Sequence, residues 1–409
     1  MLTRSLDRIS ERTSTAIKVV VALFVVTRLF GAAGAINFPT SSDVEIAYRP
    51  WAIQVVDKDR APYSEVDIEY PPASLPFVLA PQVPSPDQYH YRINFVLAML
   101  VADIAAFIGL MMLSKRWGSL LGPWLWVIAL PLLGPFVYLR LDLIPTAAMI
   151  WALQRASRDD WLGGGGFLGF GIAAKLFPLL LVPLALLIAP ARSRLKLLFG
   201  AGAVVLIAFL PFMTILNDLF RDIVEYHTGR GIQVESLWGS MLYVARSGEE
   251  LKLIFHDFGA HHFRFGAVET MKTVASIATA ATLVIGIWLA KKAPKDVREL
   301  ASVSCVTLLM AITVSGVLSP QFFMWIAGLG AVSLCAAGSR LRNLMLMLLP
   351  LLLLTQVIYP TMHPALVRAE APAVVMLWCR NILLLLTAIY GVASVSGPST
   401  RGPASVGTP

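Results

Sequence analysis

Long apolar segments recur along the whole chain, and they constrain its fold more than any other feature. Several of them reach the roughly 20 residues that a helix needs to cross a bilayer. Of all residues, 57% are hydrophobic and only 14% are charged, whereas a soluble domain averages roughly 25% charged residues. Because backbone groups in lipid must be hydrogen-bonded within the protein, the sequence predicts an all-α polytopic membrane protein.

The apolar pattern predicts about twelve transmembrane or half-membrane helices. Their predicted ranges are 17–36, 93–113, 120–138, 143–154, 164–174, 177–189, 197–214, 268–290, 300–318, 322–338, 344–359 and 374–395. The three segments between 143 and 189 have only 11 to 13 residues each. At about 1.5 Å per residue, they cross roughly half to two-thirds of the hydrocarbon core. Irregular backbone at such a depth is tolerated where it lines a cavity, so we expect a polar cavity open to the outer face.

Charge is distributed unevenly between the predicted connecting segments. With a cytoplasmic N-terminus, the cytoplasmic segments hold about half of the 33 Lys and Arg but only six of the 25 Asp and Glu. This positive-inside pattern places both termini in the cytoplasm and accounts for the pI of 9.5 without a nucleic-acid partner. The first apolar run is too long for a signal-peptide core and no clear small-residue cleavage site follows it, so we predict an uncleaved helix.

Two predicted outer connections are much longer than the others: outer loop one (37–92) and outer loop two (215–267). Long ordered loops in compact proteins usually carry function. We therefore predict a single membrane domain over residues 1–395, with both loops contributing to its site. Residues 396–409 are rich in Gly, Pro and Ser, which predicts a disordered cytoplasmic tail. The four glycines at 163–166 are interpreted as a flexible connector before a helix.

Ionisable residues at membrane depth are costly and tend to be paired or functional. Arg28 and Asp103 lie at similar depth on consecutive helices, which favours an ion pair, although Arg28 could instead line the cavity. Lys175 has no acid nearby in sequence; it either snorkels, pairs with Asp142, or meets a substrate anion. Arg140 and Asp142 form either a local salt bridge at a helix end or part of the cavity wall.

Outer loop one begins with two acids beside the membrane, in "SSDVEIAYRPWA". A carboxylate at the outer interface is a suitable general base for a hydroxyl whose partner substrate lies in the membrane. Asp43 is the preferred candidate and Glu45 the alternative, since the residues alone do not decide whether the two side chains point the same way. The loop ends in "IEYPP", where Pro71 and Pro72 stiffen the returning chain.

Outer loop two contains "EYHTGRGIQVESLWGS", in which polar side chains surround two glycines. His227 and Arg230 suit a phosphate, whereas Gln233 and Glu235 suit sugar hydroxyls. Trp238 suits either an apolar sugar face or the membrane interface. The histidines of "FHDFGAHHFRF" match no metal signature, so no metal is predicted. A phosphate-binding glycine loop is not found either, which disfavours a nucleotide donor.

Six short stretches together resemble the C-type integral-membrane glycosyltransferases, and more narrowly glycosyltransferase family 87. This family includes polyprenol-phosphate-mannose-dependent mannosyltransferases of the phosphatidylinositol mannoside type. The stretches follow the family's order from about residue 41 to 325. They are "SSDVEIAYRPWA", "PYSEVDIEYPP", "RLDLIPTAAMIWAL", "GIAAKLFPLLLVP", "RGIQVESLW" and "LSPQFFMW".

The resemblance implies an inverting transfer of a sugar, most simply mannose, from a polyprenyl-phosphate carrier to a glycolipid or glycan acceptor. The transfer takes place on the outer side of the cell membrane, among membrane lipids, without a cofactor. It assigns the general base to Asp43. Cations must stabilise the leaving phosphate, and the candidates are Lys175, His227, Arg230 and Arg140. The predicted substrate-binding residues are Glu45, Tyr48, Glu69, Asp142, Gln233, Glu235, Trp238 and Gln321.

Two other classes of protein share some of these features. A multi-pass transporter or lipid flippase would also have many segments and buried charges, but no internal repeat is detected and the charges gather toward the outer half. A non-catalytic scaffold would not need Asp43, Lys175 and the His227–Arg230 stretch together. The single-site hypothesis requires that these residues meet over one cavity.

Overall fold

The computed structural model describes residues 11–39, 42–217, 219–221, 229–245, 254–257 and 259–397. Helices account for most of this part of the chain. The main helices are α1 (Ser14–Ile36), α2 (Gln88–Trp117), α3 (Leu121–Leu133), α4 (Leu143–Ala156), α5 (Trp161–Ala174), α6 (Leu181–Ile188), α7 (Ala191–Phe209), α8 (Leu237–Ala245), α9 (Gly266–Lys292), α10 (Val297–Val314), α11 (Phe322–Leu334), α12 (Arg342–Gln356) and α13 (Ala371–Ser396).

Seven of the described helices are long and apolar enough to cross a membrane. They are α1, α2, α7 with its continuation to Ile215, α9, α10, α12 with its continuation to Val367, and α13. The apolar helices α3, α5, α11 and the stretch Phe177–Ile188 are shorter. Each predicted segment coincides with a helix in the structure, but the structure supports spanning length for seven rather than twelve, so the predicted count of twelve stays a prediction.

Side-chain caps place the start of several long helices. Thr13 accepts a hydrogen bond from Ala16 N at the start of α1, and Asp87 accepts one from His90 N at the start of α2. Asp160 and Asp296 do the same for α5 and α10. Such caps satisfy backbone donors that lack a partner within the helix. Helix α2 ends at Gly118, which adopts the left-handed conformation with φ of 87°, as helix-terminating glycines commonly do.

The connections contain short helical turns and a small sheet. The turns span Val44–Tyr48, Arg49–Ala52, Ile53–Asp57, Pro72–Ser74, Leu75–Leu79, Ala80–Gln82, Pro135–Leu139, Phe177–Leu180, Leu210–Ile215, Val357–Met362 and His363–Val367. In outer loop two, β1 (Ile232–Gln233), β2 (Ile254–Asp257) and β3 (Ala260–Phe263) form an antiparallel sheet in the order β1-β3-β2. The sequence did not predict this small sheet, because its strands are too short to give a clear period-two pattern, while the rest of the described chain is mostly helical, as the all-α prediction expects.

The sheet of outer loop two covers a second, smaller apolar core. Ile232 and Phe263 from the sheet pack with Tyr243 of α8 and Leu377 of α13. Tyr243 also donates a hydrogen bond from its hydroxyl to the carbonyl oxygen of Leu366, at 2.8 Å. The loop is thereby attached to the last membrane helix of the chain.

The glycine run at 163–166 is helical, so its interpretation as a flexible connector is wrong. It lies inside α5, which packs along α7. A Cβ added at Gly165 would lie 2.2 Å from the carbonyl oxygen of Leu197, and one at Gly169 would lie 2.3 Å from that of Ala201. Small residues spaced four apart allow two helix backbones to approach closely in a membrane. The glycines therefore form a helix–helix seam that positions the C-terminal end of α5.

Arg28 and Asp103 form the buried ion pair that the sequence favoured. Arg28 Nε lies 2.9 Å from Asp103 Oδ2, and both side chains are almost fully buried. The other guanidinium nitrogens donate to the carbonyl oxygens of Val127 and Trp126 on α3. Asp103 also accepts from Trp126 Nε1 at 2.7 Å and from Tyr138 Oη at 2.6 Å. This network joins α1, α2 and α3, so Arg28 has a structural role.

Asp103→Ala is expected to lower the free energy of unfolding by about 3–5 kcal/mol, because it leaves the Arg28 guanidinium buried without a counter-ion. Thermal unfolding of the purified protein in detergent would measure the loss. Asp67→Ala, which removes an exposed acid of outer loop one, is the matched control. Equal unfolding temperatures for the two variants would show that the buried pair contributes little.

Candidate active site

The N-terminal part of outer loop one is helical, and it separates the two acids of "SSDVEIAYRPWA". Glu45 accepts hydrogen bonds from Ser42 N at 2.8 Å and Ser42 Oγ at 2.7 Å. It also pairs with Arg92 Nε of α2 at 2.7 Å. Asp43 instead pairs with Arg140. The two carboxylates thus point to different partners, and Glu45 anchors the loop to α2.

Arg140 lies in extended backbone between the turn Pro135–Leu139 and α4, and its side chain is largely buried. One guanidinium nitrogen pairs with Asp43, and another lies 3.4 Å from the hydroxyl of Tyr359. The alternative of a local Arg140–Asp142 salt bridge is therefore wrong. Each residue pairs with a different segment of the chain. Arg140 is in extended backbone, whereas Asp142 already has helical φ and ψ of −64° and −20°, so the two side chains do not share one face of an extended segment.

Lys175 pairs with Asp142, as one of the alternatives from the sequence anticipated. Its Nζ lies 2.8 Å from Asp142 Oδ1 and 2.9 Å from Oδ2. Asp142 is fully buried and also accepts from Trp325 Nε1 at 2.7 Å. Helix α5, which forms the close seam with α7, ends at Ala174, and Lys175 is its C-terminal cap residue. Asp142 therefore holds the ammonium group from one side.

Aromatic rings surround the Lys175 ammonium group. It lies 5.1 Å from the ring centre of Tyr70 and 5.5 Å from that of Trp325, within the range of cation–π attraction. Phe177 stacks on Trp325 with ring centres 3.7 Å apart. The hydroxyls of Tyr70 and Tyr48 lie 3.4 Å apart, so the predicted site residue Tyr48 supports this aromatic wall from the side of outer loop one.

Glu69 precedes Tyr70 and is half-buried. No described residue donates a hydrogen bond to its carboxylate. Burial raises the pKa of Glu69 to about 7, although the nearby charges of Arg230 and Lys175 act in the opposite direction. A carboxyl group with a pKa near neutrality in a polar site is a functional candidate. From the sequence, Glu69 is predicted only as a substrate-binding residue.

Outer loop two places one cation, Arg230, near Glu69 and Lys175, and it makes several contacts with the rest of the protein. Arg230 acts electrostatically on Glu69, Tyr70 and Lys175. Gln233 is buried, and its Oε1 accepts from Leu318 N at 2.9 Å. Trp238 Nε1 donates to the carbonyl oxygen of Val314 at 2.7 Å. Gln233 and Trp238 thus hold the loop against the end of α10, and their predicted contacts with substrate stay a prediction. His227 lies outside the described residues.

Glu235 is almost fully buried, and its Oε2 has no hydrogen-bond partner among the described residues, so its predicted substrate-binding role stays a prediction. Its Oε1 lies 3.3 Å from His363 Nδ1, and its carbonyl oxygen accepts from Arg380 at 2.6 Å. His363 Nε2 lies 3.1 Å from His261 Nδ1. Burial, followed by the neighbouring histidines, lowers the pKa of His261 to about 4.

Within the described ranges, no group of three or more His, Cys, Asp or Glu is placed to hold a metal ion.

Gln321 lies at the start of α11, four residues before Trp325, and is half-buried. Its side-chain amide has no hydrogen-bond partner among the residues that the structure describes, so it is available to a ligand.

Trp325 and Tyr359 were not predicted as site residues. Trp325 belongs to "LSPQFFMW" and could have been found there. Tyr359 lies in a turn that carries no recognisable pattern.

Five separate segments thus meet around one polar cluster beside apolar helices. The cluster consists of Asp43, Glu69, Arg140, Asp142, Lys175 and Arg230, with Tyr70 and Trp325 as aromatic walls. The cluster therefore brings three cations and three carboxyl groups together in one polytopic membrane protein, where ionisable groups tend to be paired or functional.

The family model of glycosyltransferase family 87 matches residues 69–320, which is more than half of the 409 residues. The chain therefore belongs to glycosyltransferase family 87. This confirms the resemblance found in the sequence and favours an enzyme over a transporter, flippase or scaffold. The match includes Glu69, Arg140, Asp142, Lys175 and Arg230, whereas Asp43 precedes it. No protein with curated function matches the chain.

Proposed function

We propose that the protein transfers a sugar, most simply mannose, from a polyprenyl-phosphate carrier to a glycolipid or glycan acceptor on the extracytoplasmic side of the cell membrane. The observation that carries the proposal is the convergence of Arg140, Lys175 and Arg230 with three carboxyl groups beside the ends of short apolar helices. A lipid-linked phosphate needs this combination, because its head group requires cations and its chain requires an apolar surface.

The proposed reaction is a single displacement with inversion. The acceptor hydroxyl loses its proton to Asp43 as its oxygen bonds to the anomeric carbon. The bond between that carbon and the phosphate oxygen breaks, and its electron pair moves to the phosphate. Lys175 and Arg230, with His227 as a further candidate, stabilise the charge that grows there. Arg140 orients the Asp43 carboxylate through their ion pair.

Direct assay of donors tests the proposal. The purified protein in nanodiscs would be given a membrane lipid extract and radiolabelled polyprenyl-phosphate mannose, polyprenyl-phosphate arabinose or a nucleotide sugar. We expect label to enter a glycolipid from a polyprenyl-phosphate sugar only. Transfer from the nucleotide sugar alone would contradict the proposed class of donor. Transfer only from polyprenyl-phosphate arabinose would show that the transferred sugar is arabinose rather than mannose.

Glu45→Gln is expected to leave kcat within about tenfold of the wild type while lowering stability by about 1–3 kcal/mol, because Glu45 is buried and accepts a charge-assisted hydrogen bond from the partly buried Arg92. Transfer assays and thermal unfolding would measure the two effects separately. A loss of about 10²-fold or more in kcat with unchanged unfolding temperature would instead identify Glu45 as the base.

A further inference from the structure

Three aromatic rings form a stack beside the Lys175 ammonium group. The ring centres of Phe177 and Trp325 are 3.7 Å apart with an interplanar angle of 6°, and those of Phe322 and Trp325 are 4.3 Å apart with an angle of 27°. Two rings this close and this nearly parallel to one indole cannot share a face of it without overlapping. Phe177 and Phe322 therefore cover opposite faces of Trp325, which lies in the middle of the stack.

The stack is fixed to the polar groups of the site. Trp325 Nε1 donates to Asp142 Oδ1 at 2.7 Å, and the Lys175 ammonium group lies 5.5 Å from the centre of the indole ring. Because both indole faces are covered, the ammonium group approaches the stack from its edge, where Asp142 also binds. A phosphate that contacts Lys175 therefore lies beside the edge of the three rings.

The two outer rings of the stack are partly exposed, whereas the central indole is buried. Phe177 and Phe322 each keep part of their surface accessible, and Trp325 is only 5% exposed. Both outer residues lie at the ends of short apolar segments: Phe177 begins the turn after α5, and Phe322 is the first residue of α11. The stack thus offers flat apolar surface directly beside a cation.

The proposed donor carries a flat apolar group directly beside its anion. In a polyprenyl phosphate, one methylene group joins the phosphate to the first carbon–carbon double bond, and that double bond keeps the neighbouring carbon atoms in one plane. A saturated first unit has nearly the same size but one additional rotatable bond, which must be immobilised on binding. The unsaturated unit therefore binds to a flat ring surface at a lower cost in entropy.

We propose that the stack of Phe177, Trp325 and Phe322 binds the first isoprene unit of the donor and selects donors in which this unit is unsaturated. The inference rests on the proposed function, because it takes a polyprenyl-phosphate sugar as the ligand. Lys175 contacts the phosphate, and the outer rings contact the carbon atoms next to it. The substrate class is therefore an allylic prenyl-phosphate sugar rather than one whose first unit is saturated.

Binding of two matched donors tests this selection. Geranyl-phosphate mannose and citronellyl-phosphate mannose share one carbon skeleton and differ only in the double bond of the first unit. Calorimetric titration of the full-length protein in detergent would give the Kd of each donor. We expect the wild type to bind the geranyl donor about three- to tenfold more tightly, since one rotatable bond fewer must be immobilised.

Phe177→Leu and Phe322→Leu each replace an outer ring by a side chain that is apolar but not flat. At least one of them should reduce the preference to less than about twofold, with the Kd of the citronellyl donor within about threefold of the wild type. Phe170→Leu is the matched control, because Phe170 is a partly buried ring of α5 that packs against Phe77 rather than in the stack. It should keep the preference of the wild type, and thermal unfolding would verify that all three variants are folded.

A wild type that binds both donors equally would overturn the inference, and so would a preference that persists in both Phe177→Leu and Phe322→Leu. The second result, combined with equal weakening of both donors, would show that the rings contact another part of the substrate. Each of these results leaves the proposed function intact. A wild type that binds neither donor would instead overturn the proposed function and the inference with it.

Discussion

Asp43→Asn is expected to lower kcat by about 10²–10⁴-fold, the usual effect of removing a general base. The amide cannot accept the proton of the acceptor hydroxyl, but it has nearly the size of the carboxylate and can still accept a hydrogen bond from Arg140. The KM for the donor should change little, because Asp43 pairs with Arg140 and is not assigned to the phosphate. Steady-state transfer of labelled sugar into glycolipid would measure both constants.

Asp67→Asn serves as the control, and it should keep the activity of the wild type. Thermal unfolding of both variants would show whether losing the ion pair with Arg140 destabilises the loop. If Asp43→Asn retained kcat within about tenfold, Asp43 would not be the base. Glu69 would then become the first alternative, because it is a half-buried carboxyl group of the same cluster with a pKa near neutrality.

Lys175→Met is expected to lower kcat by about 10²–10³-fold, the usual cost of removing one group that stabilises developing charge. It should also destabilise the protein by about 3–5 kcal/mol, since Asp142 would stay fully buried without its cation. These two effects have different causes. The loss of kcat is expected from the missing cation at the substrate phosphate, and the loss of stability is expected from the unpaired Asp142 carboxylate.

The double variant Lys175→Met with Asp142→Asn separates the two causes. Neutralising Asp142 removes the unpaired buried charge, so most of the stability should return, while Trp325 can still donate to the amide oxygen. Activity should stay as low as in the single variant, because both variants lack the Lys175 cation at the phosphate. Recovery of activity together with stability would show that Lys175 only balances Asp142 and does not contact the donor.

The membrane class, the positions of the apolar helices and the Arg28–Asp103 pair were predictable from the sequence. Their signals are local: apolar runs of defined length, and opposite charges at similar depth on consecutive helices. The grouping of Asp43, Lys175 and Arg230 with their loops was also expected, but only through resemblance to a family. Nothing in the spacing of these three residues brings them together.

The ion-pair partners of Arg140 and Asp142 could not be predicted from local sequence signals. Arg140 and Asp142 are two residues apart, so a local salt bridge was a natural expectation, yet their partners come from 97 residues before and 33 residues after them. Such partners depend on how the helices pack. The raised pKa of Glu69 depends likewise on burial, which the sequence "IEYPP" does not reveal.

The seam between α5 and α7 has a consequence for which parts of this chain can change. Runs of glycine usually tolerate substitution, because they serve as spacers. Here Gly165 and Gly169 each face a backbone carbonyl oxygen at a distance that leaves no room for a methyl group. Any larger residue must push one helix away from the other, and Lys175 follows directly at the end of α5. The glycine stretch is therefore expected to be among the least variable parts of the chain, because it positions the helix end that places the Lys175 ammonium group beside Asp142.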